Sequence, residues 1–292
     1  MRALSSTTLA ASLALLGGCS AAVGTPSELD ADTATPVHAV VVVERAQQGD
    51  GARVAVVARF VSVRGGVVDD RALRMVGALS RVPAGGACAV LDDAEEGAVR
   101  GVELHDVGAV TLEAASTRSA LVTRQVPDPI GRVTGVFYFS PADIHAVAPG
   151  AKVSLLVQGS PHGDIAPFVV AGAAPRDLGE VRVAGQDIAR PVVVAASGGP
   201  IEITWEGSEG ASPRPGDDAT VFVDVSTARQ TTRCAFADVG RASVPAAALS
   251  GDTGQITLHR IKRDRFAARG VEPGELRFDF SRTASFTRAF AR

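Results

Sequence analysis

Asparagine is absent from this chain, lysine occurs only at positions 152 and 262, and one tryptophan and one tyrosine stand among 292 residues. Each shortage closes a class of function. Without Asn there is no N-x-[ST] acceptor, and turns must be built from Gly, Asp, Pro and Ser. The residues three before the two lysines are Pro149 and His259, so no S-x-x-K nucleophile motif exists. Aromatic residues make up 4% of the chain, which leaves little for an exposed carbohydrate platform. A formal charge of −3 is close to neutral for this length and argues against nucleic acid as a partner. Beyond the N-terminus no uncharged apolar run approaches the ~20 residues that a membrane-spanning helix needs. There is no H-E-x-x-H, paired C-x-x-C, P-loop or G-x-G-x-x-G after a strand. Gly159-Ser160-Pro161-His162-Gly163 and Gly207-Ser208-Glu209-Gly210 miss the spacing of a G-x-S-x-G elbow.

The most informative segment is the N-terminus. Arg2 supplies a minimal positive charge, and Ala3 to Leu16 is uncharged and leucine-rich. Its length suits the roughly 7–15 apolar residues of a secretory signal and is short for a membrane span. Small residues then precede a cysteine in Leu16-Gly17-Gly18-Cys19. This stretch resembles a bacterial lipobox, with Gly17 where Ala or Ser is more usual. The resemblance implies cleavage after Gly18, diacylglycerol attached to the Cys19 sulfur and acylation of the new amine. Each buried acyl CH2 contributes about 0.8 kcal/mol to such an anchor. Ser20, in place of Asp, resembles an outer-membrane sorting signal. Residues 20–36 are small, polar and acidic, and read as a flexible tether.

From His38 the texture changes to Val-rich runs broken by Gly, Pro and Asp. Val40 to Val43 and Val54 to Val63 read as strands around Gly49-Asp50-Gly51. Further strands are expected at 87–91, 109–114, 120–125, 133–139, 153–158 and 167–171. A second series falls at 192–196, 201–205, 220–225, 232–236, 255–260 and 276–280. Helices are expected only as short pieces, at Asp69–Leu79, after Ser140-Pro141 and from Val244-Pro245 to Leu249. This rhythm predicts a mainly β protein with two antiparallel sandwich domains, residues 37–178 and 179–292, divided at Pro175–Gly179. In Ile201-Glu-Ile-Thr-Trp205, the two isoleucines and Trp205 share one strand face and are expected in the second core. The layout resembles the Ig-like or fibronectin-like modules of bacterial surface lipoproteins. Cys88-x-x-x-Asp92 recurs as Cys234-x-x-x-Asp238, and Asp106-Val107-Gly108 as Asp238-Val239-Gly240. Either the halves are related, or two independent turns each use Asp and Gly. Cys88 and Cys234 sit in apolar runs and read as two separate core thiols, with a disulfide as the alternative that an exported chain allows.

Chemistry has few candidates. His105-Asp106 and His162-Gly163-Asp164 each place an imidazole near a carboxylate. Ser212-Pro213-Arg214-Pro215-Gly216-Asp217-Asp218 is acidic but lacks the ligand spacing of a Ca2+ loop. The histidines at 38, 105, 145, 162 and 259 stand singly, so no zinc signature forms. No catalytic, cofactor or metal residue is therefore assigned; the assigned site is Cys19 for lipid, with cleavage at Gly18. The leading expectation is a lipid-anchored outer-membrane protein with a structural or protein-interaction role, without catalysis or cofactor. One alternative is an exported hydrolase drawing on His105, Asp106, His162 or Asp164. The other is a solute- or glycan-binding module. A deep pocket with convergent His and acid side chains would sink the first.

Overall fold

The computed structural model of the chain describes residues 37–48, 51–79, 81–91, 101–126, 131–141, 147–195, 199–207 and 220–289. The lipobox, the tether, the Gly49-Asp50 pair, the helix start after Pro141 and the loop at 212–218 lie outside them. In chain order the elements are β1 (Val37–Gln48), β2 (Gly51–Val63), α1 (Asp70–Met75), β3 (Cys88–Val90), β4 (Val102–Leu104), β5 (Val110–Ala114) and β6 (Thr117–Ala120). Next come β7 (Val122–Gln125), β8 (Val133–Phe139), β9 (Lys152–Val157), β10 (Phe168–Ala173), β11 (Arg182–Val183), β12 (Gln186–Asp187) and β13 (Val192–Ala195). The last are β14 (Ile201–Thr204), β15 (Thr220–Thr227), β16 (Thr231–Ala237), β17 (Arg241–Val244), a 3-10 turn (Ala246–Ala248), β18 (Thr253–Ala268) and β19 (Val271–Ala289).

The protein is mainly β. One sheet of eleven strands runs β3-β16-β15-β18-β19-β1-β2-β4-β8-β7, with β13 attached to β19. Two four-stranded sheets, β10-β9-β5-β6 and β12-β11-β14-β17, complete the fold. The large sheet is mixed, which corrects the expectation of purely antiparallel pairing. β1 runs parallel to β19, β13 parallel to the end of β19, and β4 parallel to β8. The cause is topological: the first and last strands meet side by side in the middle of the sheet.

Alternation along β19 explains how one sheet serves two cores. Leu276, Phe278 and Phe280 share one face with Ala284 and Phe286. The first three pack with Val41, Val43, Leu112 and Leu155 under the sheet that contains β5 and β9. The last two pack with Val223, Leu258, Ile203 and Trp205 under the sheet that contains β11 and β14. Each buried Phe contributes about 1.5–3 kcal/mol. On the opposite face, Val40 and Val42 meet Leu73 of α1 and Leu104 of β4. Val40 to Val43 is therefore covered on both sides, which is why that run is continuously apolar. α1 begins as expected: the Asp69 carboxylate accepts from the Ala72 N–H at 2.8 Å. It stops at Met75, ahead of Gly77 at φ +66°, short of the expected Leu79.

The large sheet passes continuously across residues 178 and 179. Its spine is the β18–β19 hairpin, longer than the expected strands at 255–260 and 276–280. The charged run Lys262-Arg263-Asp264-Arg265 continues β18, with Lys262 paired to Asp264 and Arg263 to Glu275. A second correction concerns the cysteines. Cys88 and Cys234 are joined in a disulfide across 146 residues of sequence. β3 docks antiparallel on β16 with Cys88 opposite Cys234, so sheet register overrides sequence distance. Closing so long a loop limits the unfolded chain, by on the order of 4–5 kcal/mol in a chain-entropy account.

Between the two cores lies a polar belt. Arg260, 1% exposed, donates to the carbonyls of Arg176 at 3.1 Å, Asp177 at 2.6 Å and Glu206, and to Asp238 Oδ1 at 2.9 Å. Asp238 also accepts from Trp205 Nε1 at 2.6 Å. Arg45 and Arg282 reach the Asp177 carboxylate at 3.1 and 3.4 Å. Burial works against that carboxylate, but the two guanidiniums outweigh it and hold its pKa below the usual range. The segment expected to divide two domains is thus fastened to the shared sheet. Replacing Arg260→Leu strands Asp238 and three carbonyls in the interior. Urea unfolding of that variant is expected to show a loss of about 3–5 kcal/mol. A loss under about 1 kcal/mol would mean that the belt does not hold the segment.

Candidate functional site

Two of the four candidate residues converge on one cleft. Ser62 sits near the end of β2, and β4 pairs beside it with Glu103 opposite Ser62. The chain leaving β4 places His105, whose backbone N–H donates to the Phe60 carbonyl at 2.8 Å. Ser62 Oγ and His105 Nε2 are then 2.7 Å apart, with the serine 5% exposed. The β18–β19 turn brings Arg269 and Glu272, and the loop before β10 brings Asp164. Gly270, at φ +85°, lets these segments touch: a Cβ there would lie 2.2 Å from the Asp164 carbonyl. The Ala166 N–H donates to the Arg269 carbonyl at 3.2 Å and closes the contact. The cleft encloses about 510 Å³, within the ~300–1,000 Å³ of small-molecule sites. Val37, the first described residue after the tether, lies on its wall.

Its walls alternate in charge, with Arg64, His105 and Arg269 facing Glu103, Asp164 and Glu272. Asp164 is exposed and accepts from Ser160 Oγ at 2.6 Å. That hydrogen bond is the main reason its pKa lies below the usual carboxylate range. His162 is exposed on the same loop and does not line the cleft. Asp106 follows His105 in sequence but turns elsewhere. It accepts from Tyr138 Oη at 2.8 Å and from the Gly108 N–H at 2.9 Å. Tyr138, buried opposite Phe137 and Phe139 as the strand alternation predicts, accepts in turn from the Val107 N–H. Burial first, then Asp106, pushes the phenol above its ordinary range.

The repeated Asp-Val-Gly therefore recurs in structural use. Asp106 receives the hydroxyl of the sole tyrosine, and Asp238 the indole N–H of the sole tryptophan. The following glycines adopt φ +71° and +82°. Sequence reasoning missed Ser62, Arg64, Glu103, Arg269 and Glu272. The one available signal was Ser62 itself, a hydroxyl inside Phe60-Val-Ser-Val63. Among the described residues no group of three or more His, Cys, Asp or Glu is arranged to hold a metal ion. The exposed large apolar residues among them are all valines, such as Val67 and Val169. No protein-family model matches the chain, and no curated protein matches it.

His259 lies on the other face of the large sheet, in a set of ion pairs. Its Nδ1 is 2.9 Å from Asp279 Oδ1, and its Nε2 is 3.6 Å from Asp224 Oδ2. Arg233 grips Asp224 with two hydrogen bonds of 2.7 and 2.6 Å. Burial would lower the His259 pKa, but the Asp279 hydrogen bond and the two carboxylate charges outweigh it and raise the value. A raised folded-state pKa means that the imidazolium stabilises the fold. That stability is complete below the unfolded value near 6.5 and is lost as pH climbs through the folded one. Thermal unfolding from pH 5.5 to 8.5 is expected to show wild type losing stability relative to His259→Gln as pH rises. Parallel curves would exclude the imidazolium.

Proposed function

We propose that this chain is a lipid-anchored outer-membrane protein, held through Cys19 after cleavage at Gly18, whose body binds an envelope partner without catalysis. The observation that carries the binding role is the mixed-charge cleft beside Val37; its gathering of His105 with Glu103, Asp164 and Glu272 is also what counts against a reading without catalysis, and the labelling test below decides between them. Such walls suit a polar, mixed-charge segment of a partner, because each cation has an anion to exchange for a ligand group. Seventeen residues, 20–36, separate Cys19 from the body. Fully extended, such a segment spans at most about 60 Å, so the anchor would keep the cleft near the bilayer. The two hydrophobic cores support two sandwich-like units on one shared sheet, the first of which takes Leu276, Phe278 and Phe280 from the C-terminal strand and so does not end at residue 178. The disulfide supports an oxidising compartment.

A second reading, an exported hydrolase, is favoured by the 2.7 Å contact between Ser62 Oγ and His105 Nε2 inside the cleft. A serine beside a base is the first requirement of nucleophilic catalysis. The solute-binding reading uses the same cleft, whereas a glycan platform has exposed valines to work with and no exposed aromatic among the described residues.

Membrane fractionation of a Cys19→Ala variant is expected to move the protein from the membrane pellet to the soluble fraction. Retention in the pellet would remove the anchor. For the cleft, Arg269→Glu with Glu272→Arg is expected to abolish co-purification of envelope partners while membrane attachment persists. Treatment with a fluorophosphonate decides between binding and hydrolysis. No labelling of Ser62 is expected; labelling that is lost in His105→Ala would replace the binding role with hydrolysis.

A further inference from the structure

A second and much smaller pocket lies on the opposite face of the large sheet, away from both cores. Strand register places its walls. Arg277 of β19 stands between Val42 of β1 and Arg263 of β18, and Asp279 stands between Glu44 and Ile261. Arg59 of β2 and Arg233 of β16 complete it. Four guanidiniums thus surround a space of about 70 Å³, enough for several waters or one small oxyanion.

The carboxylates nearby do not offset these charges evenly. Glu275 is shared, 2.5 Å from Arg277 Nη2 and 3.7 Å from Arg263 Nε. Arg233 is bound by Asp224, and Asp279 by His259. Glu44 is the remaining anion on the wall, and it faces Asp279 directly across the β1–β19 pair. Burial first, and then the Asp279 charge, raises its pKa. Arg59 is balanced by Glu44 at a distance and repelled by Arg277, and burial lowers its pKa further. Arg263 and Arg277 lie directly opposite each other, where like charges destabilise a strand pair. An anion between Arg263 and Arg277 would relieve the repulsion among the guanidiniums, against an added repulsion from Glu44 and Asp279 on the same wall.

We propose that this pocket binds a small oxyanion of the phosphate or sulfate class, with Arg59, Arg263 and Arg277 as its donors. Guanidinium suits the task because its planar fork offers five N–H groups and meets two oxygens at once. Arg277 also donates to Glu275 and to the Ala78 carbonyl, so its position is fixed before a ligand arrives. The anion would be held at the centre of the sheet, where β1, β18 and β19 run together.

The test is titration of the full chain with inorganic phosphate, sulfate and glycerol phosphate, against chloride at matched ionic strength. Phosphate or sulfate is expected to raise Tm and to give saturable calorimetric binding that chloride does not. Stronger binding of inorganic phosphate identifies a free ion as the occupant. Stronger binding of glycerol phosphate identifies a phosphomonoester headgroup. Arg59→Gln is expected to weaken binding at least about tenfold, as loss of a charged hydrogen-bond donor does. Because that variant could also disturb the sheet, Glu44→Gln supplies the opposite sign. Removing a wall carboxylate is expected to tighten phosphate binding severalfold. Equal responses to phosphate and chloride, or an affinity unchanged in both variants, would overturn the proposal.

Discussion

The buried pairing of Arg260 with Asp238 is the constraint on which both halves of the protein close. A guanidinium taken fully out of water costs several kcal/mol unless nearly all of its donors find acceptors. Here three carbonyls and one carboxylate supply them. Those acceptors come from three places: the segment 176–177, the end of the Trp205 strand, and the turn after β16. Each must be in position for the charge to be tolerated, so the pairing couples the placement of all three. Lysine could not substitute. Its single nitrogen lacks the fork by which one terminal nitrogen reaches the Arg176 and Asp177 carbonyls while the other reaches the Glu206 carbonyl and Asp238.

The belt around Arg260 also explains why two cores can share a sheet without merging. On the sandwich face of β19, Arg282 falls between Phe280 and Ala284, and on β1 Arg45 lies beside Phe280 with its guanidinium 5.5 Å from the ring centre. These residues mark the line between the two hydrophobic clusters that pack on the large sheet. Asp177, held by both arginines, lays the connecting segment along that line. The residues that break the apolar pattern are the ones that fasten the two units to a common sheet.

Local structure was legible where a single face decided the pattern. The alternation Ile201, Ile203, Trp205 read correctly because one side is core and the other is solvent. The short helix from Asp69 and the turn near Pro245 were legible as brief helical pieces between strands. The length of the β18–β19 hairpin was not, because its charged stretch is satisfied by residues distant in the chain. The parallel pairing of β1 with β19 leaves no local trace at all. The cleft was half legible: His105 and Asp164 are types that invite attention, but Ser62 and Arg269 gain meaning only when Gly270 lets the hairpin turn meet the Asp164 loop. The disulfide was misread because burial was inferred from apolar neighbours. β3 is a short edge strand, and Cys88 is only half-buried.

Correcting the disulfide strengthens the reading of the N-terminus. Two buried thiols would have been silent about compartment. A disulfide tying an edge strand to the large sheet persists where the surroundings are oxidising. Leu16-Gly17-Gly18-Cys19 resembles the processing site of an exported lipoprotein, a resemblance that rests on wholly different grounds. One clue is a local motif, the other a contact across 146 residues. Neither depends on the other, so their agreement narrows the setting more than either does alone. Within the described residues, Cys88 and Cys234 hold the edge strand β3 to β16 and so to the second core.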